Sequence, residues 1–140
     1  MDPTPIAEPP AGFAEQTDWF ERVCDGLVLL EPFSLASVAR SVERYAEAVG
    51  AHRASARLPA LGDVPDPRTR ARVAMLRADH DLFRLSIEQL AWFLAIVREE
   101  DHGGHRQALG QYGRLVCEAM RRHLAEESAL PGPARPAGKG

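Results

Sequence analysis

Apolar side chains recur at alternating intervals of three and four through most of the chain, the period that lays one face of an α-helix against a core. Phe20, Val23, Leu27 and Leu30 mark a first helix from Asp18 to Glu31, with Thr17 as its N-cap and Pro32 as its stop. Ser34 caps a second helix whose inward positions are Leu35, Val38, Val42, Tyr45, Val49 and His52. Pro59, Gly62, Pro65 and Pro67 then rule out a continuous helix, leaving a connection long enough to cross the end of a bundle. A third helix runs from about Arg68 to Glu100 on the seam Val73, Leu76, His80, Phe83, Ile87, Leu90, Leu94 and Val97. At a rise of about 1.5 Å per residue it is roughly 50 Å long and outruns the other three. Gly103 and Gly104 break the helix, and a fourth follows with Leu109, Tyr112, Val116, Ala119 and His123 on one face and Glu127 one turn beyond. There is no β pattern and no internal repeat. The expected fold is an all-α, up-and-down four-helix bundle with one long helix. Residues 16–130 form its single domain, between flexible Pro/Gly-rich tails at 1–15 and 131–140.

Three stripes carry a histidine where an apolar residue belongs: His52, His80 and His123. Taken alone, His80 reads first as a core imidazole bonded to a backbone or carboxylate group, and His52 as a solvated residue near a helix C-terminus. Their register adds information. If the third and fourth helices fold back near Gly103, position n on one lies level with about 205 minus n on the other, so His80 falls between His123 and Glu127. Two imidazoles and a carboxylate inside a bundle offer nitrogen and oxygen ligands to one cation or a pair. His102 and His105 flank the turn, remote from this point, and Glu126 lies about 100° around the helix from Glu127, facing solvent or supporting the site from outside.

The stretch Leu76-Arg-Ala-Asp-His80-Asp-Leu-Phe, followed after about forty residues of amphipathic helix by Arg122-His123-Leu-Ala-Glu126-Glu127-Ser-Ala-Leu130-Pro131, resembles the first half of a hemerythrin-like (HHE cation-binding) domain. The resemblance covers residues 76–131. It implies a four-helix bundle holding non-haem iron, in the complete family a di-iron centre, with His80 as the lone ligand of one helix and His123 with Glu127 as the His-x-x-x-Glu pair of the next. Oxygen binding, nitric-oxide binding or redox sensing would follow. The chain departs from the family pattern where two further ligand-bearing helices would come. Helices at the N-terminal end supply the missing ligands, or a second copy completes the site, or the site is degenerate. In the last case the protein is a metal-free helical interaction or regulatory module.

Composition narrows the alternatives. A net charge of −3 gives no electrostatic case for nucleic acid or an anionic membrane. Lys139 is the sole lysine beside many arginines, a pattern of bacterial GC-rich coding rather than of phosphate recognition. No apolar run approaches the ~20 residues that span a bilayer, and a cytoplasmic location is expected. Cys24 and Cys117 lack a Cys-x-x-Cys partner and read as buried reduced thiols. Without a nucleophile elbow, a phosphate-cradling loop or zinc-finger spacing, hydrolase, nucleotide-binding and zinc-finger readings have no support, and whether the chain is an enzyme stays open. Leu82, Leu85, Trp92, Phe93 and Ile96 widen the apolar face of the third helix beyond what one neighbour covers, so a homodimer through that helix is expected, with a different protein partner as the other reading.

Overall fold

The computed structural model describes residues 2–130. Four α-helices follow one another: α1 (Phe13–Val28), α2 (Leu35–Ser55), α3 (Pro67–Glu100) and α4 (Gly103–Ala129), with a single 3-10 turn at Leu61–Asp63 between α2 and α3. Each helix packs on its neighbours in sequence, and α4 closes the ring against α1. The direction alternates up and down, giving the expected all-α bundle. The tail expected at 131–140 lies outside the described residues.

Local chemistry sets the ends. Ser34 accepts the Ser37 N–H to start α2. At α3, Asp66 accepts from both the backbone and the hydroxyl of Thr69, and Pro67 occupies the first turn, where a missing N–H costs nothing. His102 caps α4 by accepting the Gly104 N–H at Nδ1. The two glycines are therefore the first turn of α4 rather than the loop, and the reversal is made by Asp101 and His102 alone, Asp101 adopting φ 38°.

The beginning of the chain corrects the sequence reading. α1 starts at Phe13 and has no side-chain cap at Gly12, so Thr17 lies inside the helix. Its hydroxyl bonds the Phe13 carbonyl and Tyr45 Oη at 3.0 Å, a buried polar pair that fixes α1 against α2. α1 also ends early, at Val28, because Leu30 turns left-handed at φ 57° and the Glu31 N–H reaches back to the Gly26 carbonyl. Leu30 is consequently exposed, not inward. Ahead of α1, residues 2–12 lie extended along the bundle, with the Thr4 N–H on the Pro32 carbonyl and Trp19 Nε1 donating to the Ala7 carbonyl at 2.8 Å.

The core is continuous through the bundle, with Phe20, Leu27, Tyr45, Leu90, Leu109 and Met120 fully buried. Phe20 and Tyr45 stack at 4.5 Å between centroids. α1 and α4 approach each other closely at two glycines. A β-carbon on Gly110 would stand 2.6 Å from the Cys24 carbonyl oxygen and 2.9 Å from Leu27 Cβ, and one on Gly113 would stand 2.4 Å from Cys24 Sγ. Both thiols at this contact are fully buried, and burial pushes Cys24 well above the usual thiol range and Cys117 up to about 12.

Gly110→Ala tests this contact. Alanine gains about 1 kcal/mol of helix propensity, but overpacking against rigid backbone costs roughly 1–3 kcal/mol, so a net loss of up to about 2 kcal/mol is expected in denaturant unfolding. An unchanged or raised midpoint would show that the helices separate without cost. Cys24 and Cys117 should not react with a thiol reagent at pH 8 until the protein unfolds, because neither has accessible thiolate.

Candidate metal centre

Three helices deliver polar side chains to one point near the end of the bundle where α1 and α3 begin. His52 stands in the last turn of α2, His80 in the first half of α3, and His123 and Glu127 one turn apart on α4. One ligand atom of each lies within 4.8 Å of every other. His80 Nε2 is 3.0 Å from His123 Nε2, and His52 Nε2 is 2.9 Å from Glu127 Oε1. His80 Nε2 is 3.5 Å from the same carboxylate oxygen, which also contacts His123 Nε2. The sequence reading placed His80 between His123 and Glu127, and the structure brings these three together with His52.

His123 is the fixed member. It is 1% exposed, and its Nδ1 lies 3.1 Å from Asp79 Oδ2. A carboxylate only accepts, so the ring proton sits on Nδ1 and the Nε2 lone pair points into the cluster. The sequence reading missed Asp79, which lies one residue from the seam and so off the apolar face; its position immediately before His80 is the signal that could have found it. Phe83 meets the His123 ring edge-on at 5.2 Å, and Phe13 stacks on His52 at 4.6 Å and 12°. Phe13 was also missed, since it fell in the segment assigned to the tail.

The hydrogen bonds leave one opposition within the cluster. His52 can donate to Glu127 and His80 to His123, yet the His123 lone pair and the Glu127 oxygen then face each other as two acceptors. A proton on His123 Nε2 or a cation shared between the two would relieve that opposition. With a metal present, His52 and His80 would carry their protons on Nδ1 and turn all three Nε2 lone pairs inward; His123 is already in that state. Three imidazole nitrogens and one carboxylate oxygen form a donor set of intermediate softness, suited to zinc, ferrous iron or another first-row divalent ion.

The surroundings favour the ligand-competent protonation states. Burial, reinforced by neighbouring His123 and His52, holds His80 below the usual imidazole range despite the opposing Glu127. For Glu127, burial opposes ionisation, but hydrogen bonding from His52 and the proximity of His123 outweigh it and keep the carboxyl below its ordinary value.

Glu126, His102 and His105, which the sequence set apart from this point, lie apart from it. Glu126 faces outward and pairs with Arg72 at 3.2 Å, as its position around the helix requires. Glu100, His102 and His105 also cluster, at the α3–α4 turn. His102 Nδ1 is taken by its capping bond, which puts the neutral ring's proton on Nε2 and removes the lone pair facing Glu100, 3.9 Å away. Metal binding there would sacrifice the cap of α4.

Comparison of the chain with models of known families, with curated proteins and with solved structures found no match. Among the described residues, no helix is long and apolar enough to cross a membrane.

The protonation pattern predicts acid lability of the metal-free protein. His80 binds a proton more weakly when folded than its ordinary value of 6.5 allows, so the unfolded chain gains protons first and stability falls as pH drops below about 6.5. Glu127 adds a second loss in the same direction below its ordinary 4.5. Urea midpoints should decline from pH 7 to pH 4, less steeply for His80→Gln; a midpoint that rises on acidification would contradict this.

Proposed function

We propose that the protein binds one transition-metal ion through His52, His80, His123 and Glu127, and that the ion is non-haem iron used to bind a diatomic gas or to sense redox state. The carrying observation is the convergence of three Nε2 atoms and one carboxylate oxygen within 4.8 Å, with His123 oriented in advance by Asp79. The choice of iron rests on the resemblance of residues 76–131 to hemerythrin-like domains. His52 takes the place of ligands that the family draws from helices after this segment, which makes the first half of the pattern sufficient for a single ion. Four donors from one chain favour a mononuclear centre over a di-iron one.

Iron in such a set supplies an electron and an exchangeable coordination position. The chain's own residues do the rest. His123 is held rigid by Asp79, while His52, His80 and Glu127 have side chains 16%, 12% and 19% exposed, so an incoming ligand approaches from their side. Phe13, Phe83 and the stacked core behind them keep bulk water from the other. With buried reduced thiols and no membrane-spanning helix among the described residues, the reading is completed by a cytoplasmic setting. The competing reading is a metal-free interaction module, favoured by the exposed apolar side chains of α3.

Protein purified from iron-supplemented cells should carry about one iron per chain by elemental analysis. Ferrous iron or zinc at about a hundred times its dissociation constant should add roughly 2.7 kcal/mol to the apoprotein's stability. His123→Ala should abolish that gain, and Asp79→Asn should weaken binding about 10–100-fold while leaving all four ligands in place. Apoprotein whose unfolding is indifferent to iron and zinc alike would establish the metal-free reading instead.

A further inference from the structure

α3 and α4 leave a groove of about 890 Å³ between their outer flanks. Its walls are apolar. On α3, Met75, Leu82 and Leu85 line it at 67%, 58% and 51% exposure, and Trp92, 56% exposed, continues the same stripe. On α4, Tyr112 and Ala119 line it, and Leu115, 61% exposed, completes their spacing of three and four. Leu76 and Phe83, both buried, form the floor. Of the large apolar side chains that the described residues expose, only Leu29, Leu30 and Leu61 lie elsewhere, so the exposure is gathered into one surface. Phe93 and Ile96, expected to widen the same face, are half-buried instead, Phe93 packing on Tyr112 at 5.4 Å. Two apolar ridges with a trough between them are the shape into which an amphipathic helix lays its apolar face.

The charges around the groove select the helix. At about 100° per residue, Asp81, Glu88 and Glu99 stand about 70–90° from the middle of the α3 stripe, and Glu118 about 90° from that of α4. These exposed carboxylates border the groove. Arg77 and Arg84 lie further round α3, about 110–130° from the stripe, outside the acidic border. Arg77 is bonded there to the Leu58 and Pro59 carbonyls, and Arg98 and Arg114 turn away to Glu43 and Asp25. Arg84 meets Glu88 at 3.5 Å, an exposed pair worth little. Basic side chains line the groove only toward the histidine end, where Arg72 pairs with Glu126 and the His80–His123 contact sets Arg122 level with Asp81. The half that holds Leu85, Trp92 and Leu115 is bordered by Glu88, Glu99 and Glu118.

We infer that this groove receives a basic amphipathic helix of a different protein, its apolar residues against Met75, Leu82, Leu85, Trp92 and Leu115 and its lysines or arginines over Glu88 and Glu118. A second copy laid antiparallel on the same face would instead set Asp81 against Glu88, and like charges across an interface cost affinity. The acidic half lies away from Asp79 and His123, which line the groove at its other end. The inference therefore does not rest on the metal reading, and it is tested on chelator-treated protein.

The probe is a leucine–lysine peptide of about 18 residues, roughly 27 Å as a helix, with its leucines at helical spacing. Its controls are the same peptide with glutamate for lysine and a scrambled lysine peptide without an apolar face. The lysine peptide should bind at micromolar concentration in low salt and shift the emission of Trp92. Leu85→Ser, and the double variant Glu88→Lys with Glu118→Lys, should each weaken it about tenfold or more with helical circular dichroism unchanged. The double variant should in turn gain affinity for the glutamate peptide. Equal binding of the scrambled peptide, an affinity that neither variant changes, or no binding at all would overturn the inference. So would a wild-type dimer of twice the 15.4 kDa chain mass with Trp92 already shielded, which would give the face to a second copy.

Discussion

A histidine buried to 1% exposure on α4 is the constraint around which this bundle is arranged. Both ring nitrogens of a buried imidazole need partners, and α4 itself offers His123 only Glu127. The remaining contacts must come across the bundle: Asp79 and His80 from α3, and through Glu127, His52 from α2. Satisfying His123 therefore fixes the α3–α4 register and pins the end of α2. α1 takes part by laying Phe13 on His52 and by bonding the Thr17 hydroxyl to Tyr45 Oη. At the opposite contact of α4, the absence of side chains does the equivalent work, since Gly110 and Gly113 admit α1 to van der Waals distance.

The elements visible in the sequence were those written as long periodic stripes. The α2 cap at Ser34, the buried positions Val38 to Val49, and the seam of α3 are where the three-and-four spacing put them. So is the meeting of His80 with His123, because a two-residue reversal leaves little freedom in register. Boundaries set by tertiary contact were illegible. Thr17 has the chemistry of an N-cap, yet burying its hydroxyl against Tyr45 wins over capping, and the helix starts five residues earlier, at Phe13 rather than Asp18. Leu30 fits the apolar period of α1 but occupies a left-handed turn that ends the helix before it. Asp79 was hidden for a related reason: a residue that supports a ligand need not share the ligand's face, so periodicity does not select it.

The polar cluster also shows how stability and site chemistry oppose one another. Without a cation, His52, His80 and Glu127 bond within the group, which keeps buried polar atoms partnered at the expense of two acceptors facing each other. Removing any one member strands its partners, and replacing the whole set by apolar residues of similar volume would cost the core little.

The two tryptophans report on different parts of this architecture. Trp19 is 5% exposed with its indole N–H on the Ala7 carbonyl, while Trp92 is 56% exposed on the outer face of α3. Their emission should therefore divide by colour, a blue component from Trp19 shielded from iodide or acrylamide and a red component from Trp92 open to both. Displacement of the first dozen residues changes the former alone, and anything that settles on α3 changes the latter. One untagged sample thus carries separate optical signals for the N-terminal segment that lies along the bundle and for the flank that faces outward.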